Sequence, residues 1–147
     1  RNNAGRDITT NGSSFLIHFV WHHQHKLRDA CIKLFLVNAA FKLRPTYSLR
    51  PFTFGTLFAL LAVTGLRISE ALALRFEDVT SDGLRIRNTK FYKSRLVPLH
   101  PSALAGLGRY LRLRRRLPGD HVFAASRGGP LTYGCVRDVF AKLLTAW

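Results

Sequence analysis

From Pro51 to Leu66 the chain carries no charged side chain, and this run restricts the fold more than any other feature. Leu57, Phe58, Leu60 and Leu61 place apolar groups round every side of a helix, so the segment must be buried on all sides rather than along one stripe. The run is shorter than the roughly 20 residues a membrane span needs. Thr53, Thr56 and Thr64 also interrupt it. It therefore predicts the central helix of a globular core, with Thr53 capping a helix over Phe54 to Val63 and Thr64-Gly65 ending it. The 147 residues suffice for one such core and are too few for two large ones.

The rest of the chain supplies elements to pack against that helix. A helix is predicted from Leu27 to Leu43, and Pro45, Ser48 and Pro51 punctuate the stretch between the two helices. A second short helix runs from about Ile68 to Arg75, and Val79 to Gly83 reads as a turn. Leu84, Arg85, Ile86 and Arg87 alternate as a half-buried strand. Ser94 to Leu99 forms its partner, and the pair makes a β-hairpin. Pro101 opens a helix that runs to about Arg116. Thr132 caps the last one, where Val136, Val139, Phe140, Leu143, Leu144 and Trp147 form one apolar stripe. The predicted class is α+β, mainly α, with a small antiparallel sheet. The boundary falls near residue 48. Residues 1–48 are an N-terminal segment, partly unstructured or left from a preceding domain or linker, and residues 49–147 form the main domain. The chain opens with Arg1, which fits an internal piece of a longer product.

Charge points to the partner. Lys and Arg total 23 against 8 Asp and Glu, a net +15. Residues 1–50, 51–100 and 101–147 carry 8, 7 and 8 basic side chains. No single tail explains the surplus, so the folded body itself is basic. Nucleic acid is the first candidate, since phosphate contacts release counterions, and an anionic membrane surface is the second. Cys31 and Cys135 are too few for a disulfide framework and point to a reducing compartment. His22, His23 and His25 have no Cys or acidic partner at a metal-site spacing, so no metal is expected. Gly128-Gly129 is read as a turn, because no Lys-Ser or Lys-Thr follows it. The arginines from Arg112 to Arg116 suit a helix C-terminus and read as solvated there, with DNA contact as the competing role.

The chemistry concentrates in Thr64-Gly65-Leu66-Arg67-Ile68-Ser69-Glu70-Ala71-Leu72. A buried helix ends at a glycine turn and an arginine opens the next helix. A guanidinium held on rigid elements grips a phosphate through two parallel hydrogen bonds. Glu70, one helical turn on, can orient it. The bland alternative is an Arg67–Glu70 pair that only braces a helix end.

This segment, followed by Leu74 and Glu77-Asp78-Val79, resembles the first conserved box of tyrosine recombinases of the phage integrase type. The hairpin Asn88-Thr89-Lys90-Phe91-Tyr92-Lys93-Ser94-Arg95-Leu96-Val97-Pro98-Leu99 resembles that family's β-hairpin. The resemblance covers about Leu49 to Trp147. It implies the helical catalytic core of that family, acting on double-stranded DNA. In it a tyrosine attacks a phosphodiester, a 3′-phosphotyrosyl link forms, and a partner strand's 5′-hydroxyl reverses the step. It implies Arg67 as a transition-state ligand, Lys90 as general acid, and Glu70 as the residue supporting Arg67. Lys93, Arg95 and Arg87 would be DNA-binding neighbours. It further implies no cofactor, a homo-oligomer on DNA, and a cytoplasmic, nucleoid-associated place in a bacterium.

One departure limits the resemblance. The family's His-x-x-Arg box does not occur after Lys90, and its nucleophilic tyrosine lies further on. Tyr47, Tyr92, Tyr110 and Tyr133 all precede that point, and none is assigned as nucleophile. The chain is accordingly expected to be an incomplete, inactive portion that retains DNA binding, and to expose apolar surface on Phe54–Val63 and Val136–Trp147. The readings from other classes are a non-catalytic basic DNA- or RNA-binding module and a remnant with no activity.

Overall fold

The computed structural model describes residues 28–44, 48–87 and 94–145. Five helices and three strands are found among them, in the order α1 (Arg28–Phe41), α2 (Arg50–Thr64), α3 (Ile68–Ala73), a 3₁₀ turn (Phe76–Asp78), β1 (Val79–Thr80), β2 (Gly83–Ile86), β3 (Arg95–Pro98), α4 (Pro101–Arg114) and α5 (Tyr133–Leu144). The class is α+β and mainly helical, as expected.

α2 is the central helix. Phe54, Leu57, Phe58, Leu60 and Leu61 are all buried, because α1 and α4 pack on it and Phe140 of α5 meets Phe58 edge-on at 6.0 Å. α1 contributes Leu36 and Ala40 to the same core. The helix starts earlier than Thr53 would have it. Pro51 needs no N–H partner and has a helical φ already set, so the first turn forms around it. Thr53 sits inside the helix instead, donating its hydroxyl to the Leu49 carbonyl at 3.1 Å.

Tyr110 of α4 closes the core from the other side. Its hydroxyl donates to the Val122 carbonyl at 3.0 Å and lies 3.3 Å from Thr53 Oγ1. Its ring stacks on Phe123 at 5.6 Å. One buried phenol thus joins α2, α4 and the segment around residue 122. That segment in turn runs beside the end of α3, with Val122 N–H donating to the Leu74 carbonyl at 2.8 Å.

The sheet has the order β1-β2-β3, all antiparallel. The segment around Val79, read as a turn, includes the short strand β1, which pairs Val79 with Leu84. Leu84 and Ile86 point into the core and Arg85 points out, as the alternation predicts. Gly83 permits the close approach of β3. Its φ is 144°, and a Cβ there would sit 2.1 Å from the Val97 carbonyl oxygen.

The last helix begins as predicted, with Thr132 Oγ1 accepting the Cys135 N–H at 3.3 Å. Val136, Val139, Phe140 and Leu143 are buried; Trp147 lies outside the described residues. The expected apolar exposure on these two helices is therefore largely absent, because α1, α2 and α5 cover one another. At the surface of α2 it persists at Val63 and, before the predicted segment, Phe52.

In the arginine run at the end of α4, Arg112, Arg115 and Arg116 are exposed as expected, and one member departs from expectation. Arg114 is fully buried, not solvated. Its guanidinium donates to the carbonyls of Leu117 and Gly119 at 3.0 and 3.3 Å and lies over the Phe76 ring at 5.3 Å. The chain turns after α4, and Arg114 satisfies the carbonyls that the turn leaves open.

Candidate functional site

The site begins where α2 stops. Gly65 takes φ 65° and its N–H donates to the Leu61 carbonyl at 3.0 Å, a left-handed helix stop that glycine adopts without steric cost. Thr64 Oγ1 accepts the Leu66 N–H at 3.3 Å and fixes the exit from the turn. Leu66 is buried, so the backbone is anchored directly before Arg67. Arg67 then caps the start of α3 in extended conformation.

Glu70 organises what surrounds it. One carboxylate oxygen accepts the Arg67 backbone N–H at 3.0 Å. The other accepts from the Arg67 guanidinium at 3.3 Å. The first oxygen also accepts from Arg95 Nη2 at 3.0 Å. The Glu70 side chain is only 8% exposed, while those of Arg67 and Arg95 are 58% and 50% exposed. One covered carboxylate thus holds two half-exposed guanidiniums. Two cations against one anion leave the cluster net positive, and the remaining N–H groups of two planar forks are well suited to an oxyanion.

The other site candidates fall elsewhere. Arg87 pairs with Glu77 at 3.1 Å and with Asp78, so its head group is held by a different carboxylate pair. Lys90 and Lys93 lie outside the described residues, as do Tyr47 and Tyr92. Tyr110 is buried and its phenol pKa is pushed up to about 12, by burial first, offset in part by the Thr53 hydrogen bond and the Arg114 charge. It is a structural group. Tyr133 is half exposed, in the first turn of α5.

The match to known proteins is direct. The sequence profile of the phage integrase family fits residues 9–146. The chain belongs to that family. Among phage integrase relatives, a putative integrase/recombinase y4rB of Sinorhizobium fredii is 41% identical over 118 residues, spanning 74% of this chain and 38% of that protein. Tyrosine recombinase XerC of Mesorhizobium japonicum is 40% identical over 97 residues, 63% of this chain and 31% of its own length. The crystal structure of XerA recombinase superposes with a TM-score of 0.62 at 22% identity, covering 77% of this chain and 40% of that one. That likeness supports the fold. The chain spans less than two-fifths of the length of these curated integrase relatives.

Among the described residues no helix is long and apolar enough to cross a membrane. Also among them, no group of three His, Cys, Asp or Glu side chains is placed to hold a metal; His22, His23 and His25 lie outside the described set. The contact between Arg95 and Glu70 is not legible in the sequence. There Arg95 is only a basic neighbour, and the hairpin register that delivers it is a tertiary property.

Proposed function

We propose that this chain supplies the phosphate-gripping front of a DNA strand-exchange domain. Residues 49–147 are then the catalytic-domain portion, with α1 laid against it, and a backbone phosphate of double-stranded DNA seats on Arg67 and Arg95. One observation carries it: two half-exposed guanidiniums fixed by a single covered carboxylate, one from the α2–α3 junction and one from the returning hairpin strand.

The chemistry stems from the charge that grows on the non-bridging oxygens as a nucleophile attacks phosphorus. Donors already aimed at those oxygens hold the transition state more strongly than the ground state. Loss of one such donor typically costs ~10²–10³ in rate. Glu70 positions the forks and does not touch the phosphate. Lys90, which precedes Arg95 in the chain, is the proposed general acid for the leaving 5′-oxygen. Lys93 and Arg87 are proposed as outer backbone contacts, Arg87 through the donors that Glu77 and Asp78 leave free. A tyrosine outside this set acts as nucleophile, no cofactor takes part, and the active assembly is a homo-oligomer on DNA in a bacterial cytoplasm.

Two measurements test the proposal. Duplex affinity should fall steeply with salt, and Arg67→Ala and Arg95→Ala should each flatten the log–log slope by about one contact. A suicide duplex should give no covalent adduct with these residues alone. Unchanged salt slopes in both variants would remove the proposed seat. An adduct mapped to Tyr133 would replace the assigned absence of a nucleophile.

A further inference from the structure

A groove lies along the outer side of α2 and α4, with a volume of about 790 Å³. Its floor is apolar: Phe41 at the end of α1, Phe52, Leu60 and Val63 on α2, and Leu107 and Leu113 on α4. Phe41, Phe52 and Val63 are 43%, 41% and 67% exposed, half of the large apolar side chains that stand exposed among the described residues. Phe41 and Phe52 meet edge to face at 6.4 Å and wall one end. Arg109, Arg112 and Arg116 line the same groove from α4 and its end, and among the described residues no acidic side chain lines it.

We infer that this groove docks an acidic amphipathic helix of a partner protein. The length fits. Phe52 to Val63 spans about three helical turns, roughly 16 Å at 1.5 Å per residue. That accommodates anchors at i, i+3 or i+4, and i+7 of an incoming helix. The floor calls for an apolar stripe, since an exposed contiguous apolar patch marks an interaction surface. The three arginines sit at i, i+3 and i+7 and run down one edge, so the flank of the guest must carry carboxylates. A second copy of this chain is a poor guest, because it brings +15 of its own. Duplex DNA would use the arginines and leave Phe52 and Val63 wet. The groove residues are distinct from Arg67, Glu70 and Arg95, so this inference does not depend on the phosphate seat.

The experiment is a selection of helical peptides of about four turns, randomised at all positions, against the whole 147-residue chain. Enriched peptides are expected to carry Leu, Ile or Phe at helical spacing with Asp or Glu beside them. They should bind Val63→Asp at least about tenfold more weakly, a change of ~1.4 kcal/mol. The triple reversal Arg109→Glu, Arg112→Glu, Arg116→Glu should turn the preference toward Lys and Arg flanks. Val63, Arg109, Arg112 and Arg116 are all exposed, so these variants should fold, and a thermal melt of each confirms it before affinities are compared. The inference is overturned by any of three results: no enrichment, enrichment without acidic bias, or displacement of the selected peptide by a short DNA duplex, which would make the arginine edge a DNA surface.

Discussion

Arg95 donates to the Glu70 carboxylate at 3.0 Å across 25 positions of chain. The contact ties the returning strand of the hairpin to the helix that Arg67 opens. It makes Glu70 a shared anchor rather than the private partner of Arg67.

Replacing that anchor should separate charge from shape. Glu70→Ala leaves two guanidiniums near each other without a counter-charge and is expected to cost about 1–2 kcal/mol of stability. Glu70→Gln keeps an acceptor and should lose less than half as much. Urea denaturation of the two variants measures the difference. Equal losses would mean that the charge of the ion pairs, not the shape of the side chain, dominates at this position.

Gly83→Ala should damage the sheet. The residue has φ 144° and the new methyl would fall 2.1 Å from the Val97 carbonyl oxygen, so β2 and β3 must part. A loss above about 2 kcal/mol is expected, again by urea denaturation. Because β3 carries Arg95, duplex affinity should fall with it.

Tyr110 predicts an alkaline limb. Its phenol titrates near 10 when unfolded and about 12 when folded. Below pH 10 both states hold the proton, and the group adds no pH dependence. As pH rises from about 10 to 12, the unfolded chain releases the proton first, so stability falls by up to about 3 kcal/mol. Tyr110→Phe should lose about 1 kcal/mol at neutral pH from the missing hydrogen bonds. Its stability should then decline less between those two values. Chemical denaturation in steps from about pH 9 to 12 compares the two proteins, and parallel curves would refute the assignment.

Arg114→Ala should be among the most damaging changes at the end of α4. It empties a fully buried side-chain volume and leaves the Leu117 and Gly119 carbonyls without their donor. The expected cost is about 2–4 kcal/mol. Arg112→Ala, on an exposed neighbour, should stay within about 0.5 kcal/mol. A matched pair of thermal melts tests the contrast.

Local geometry sets how far the sequence can be read. The Arg67–Glu70 pair is legible because three positions on a helix are neighbours by geometry alone. The Thr132 cap and the stripe from Val136 to Leu143 are legible for the same local reason. The start of α2 is ambiguous because Thr53 and Pro51 both signal a helix entrance, and the proline, two residues earlier, prevails. Arg114 escapes detection because a run of like charges looks solvated. Only the fold of the following loop shows that one member is turned inward. Arg95 needs the pairing of Ile86 with Arg95, which no local pattern specifies.

The outer strand of the sheet carries one more consequence. Among the described residues β3 is a border with no neighbour beyond it, and a bare border invites a stray strand from another molecule to extend the ladder. Here the border is four residues long, begins at Arg95 and ends at Pro98. A charged head at one end and a residue without an amide hydrogen at the other leave little for an intruder to copy. This border is therefore a poor template for an added strand even though Leu96 stands in the open.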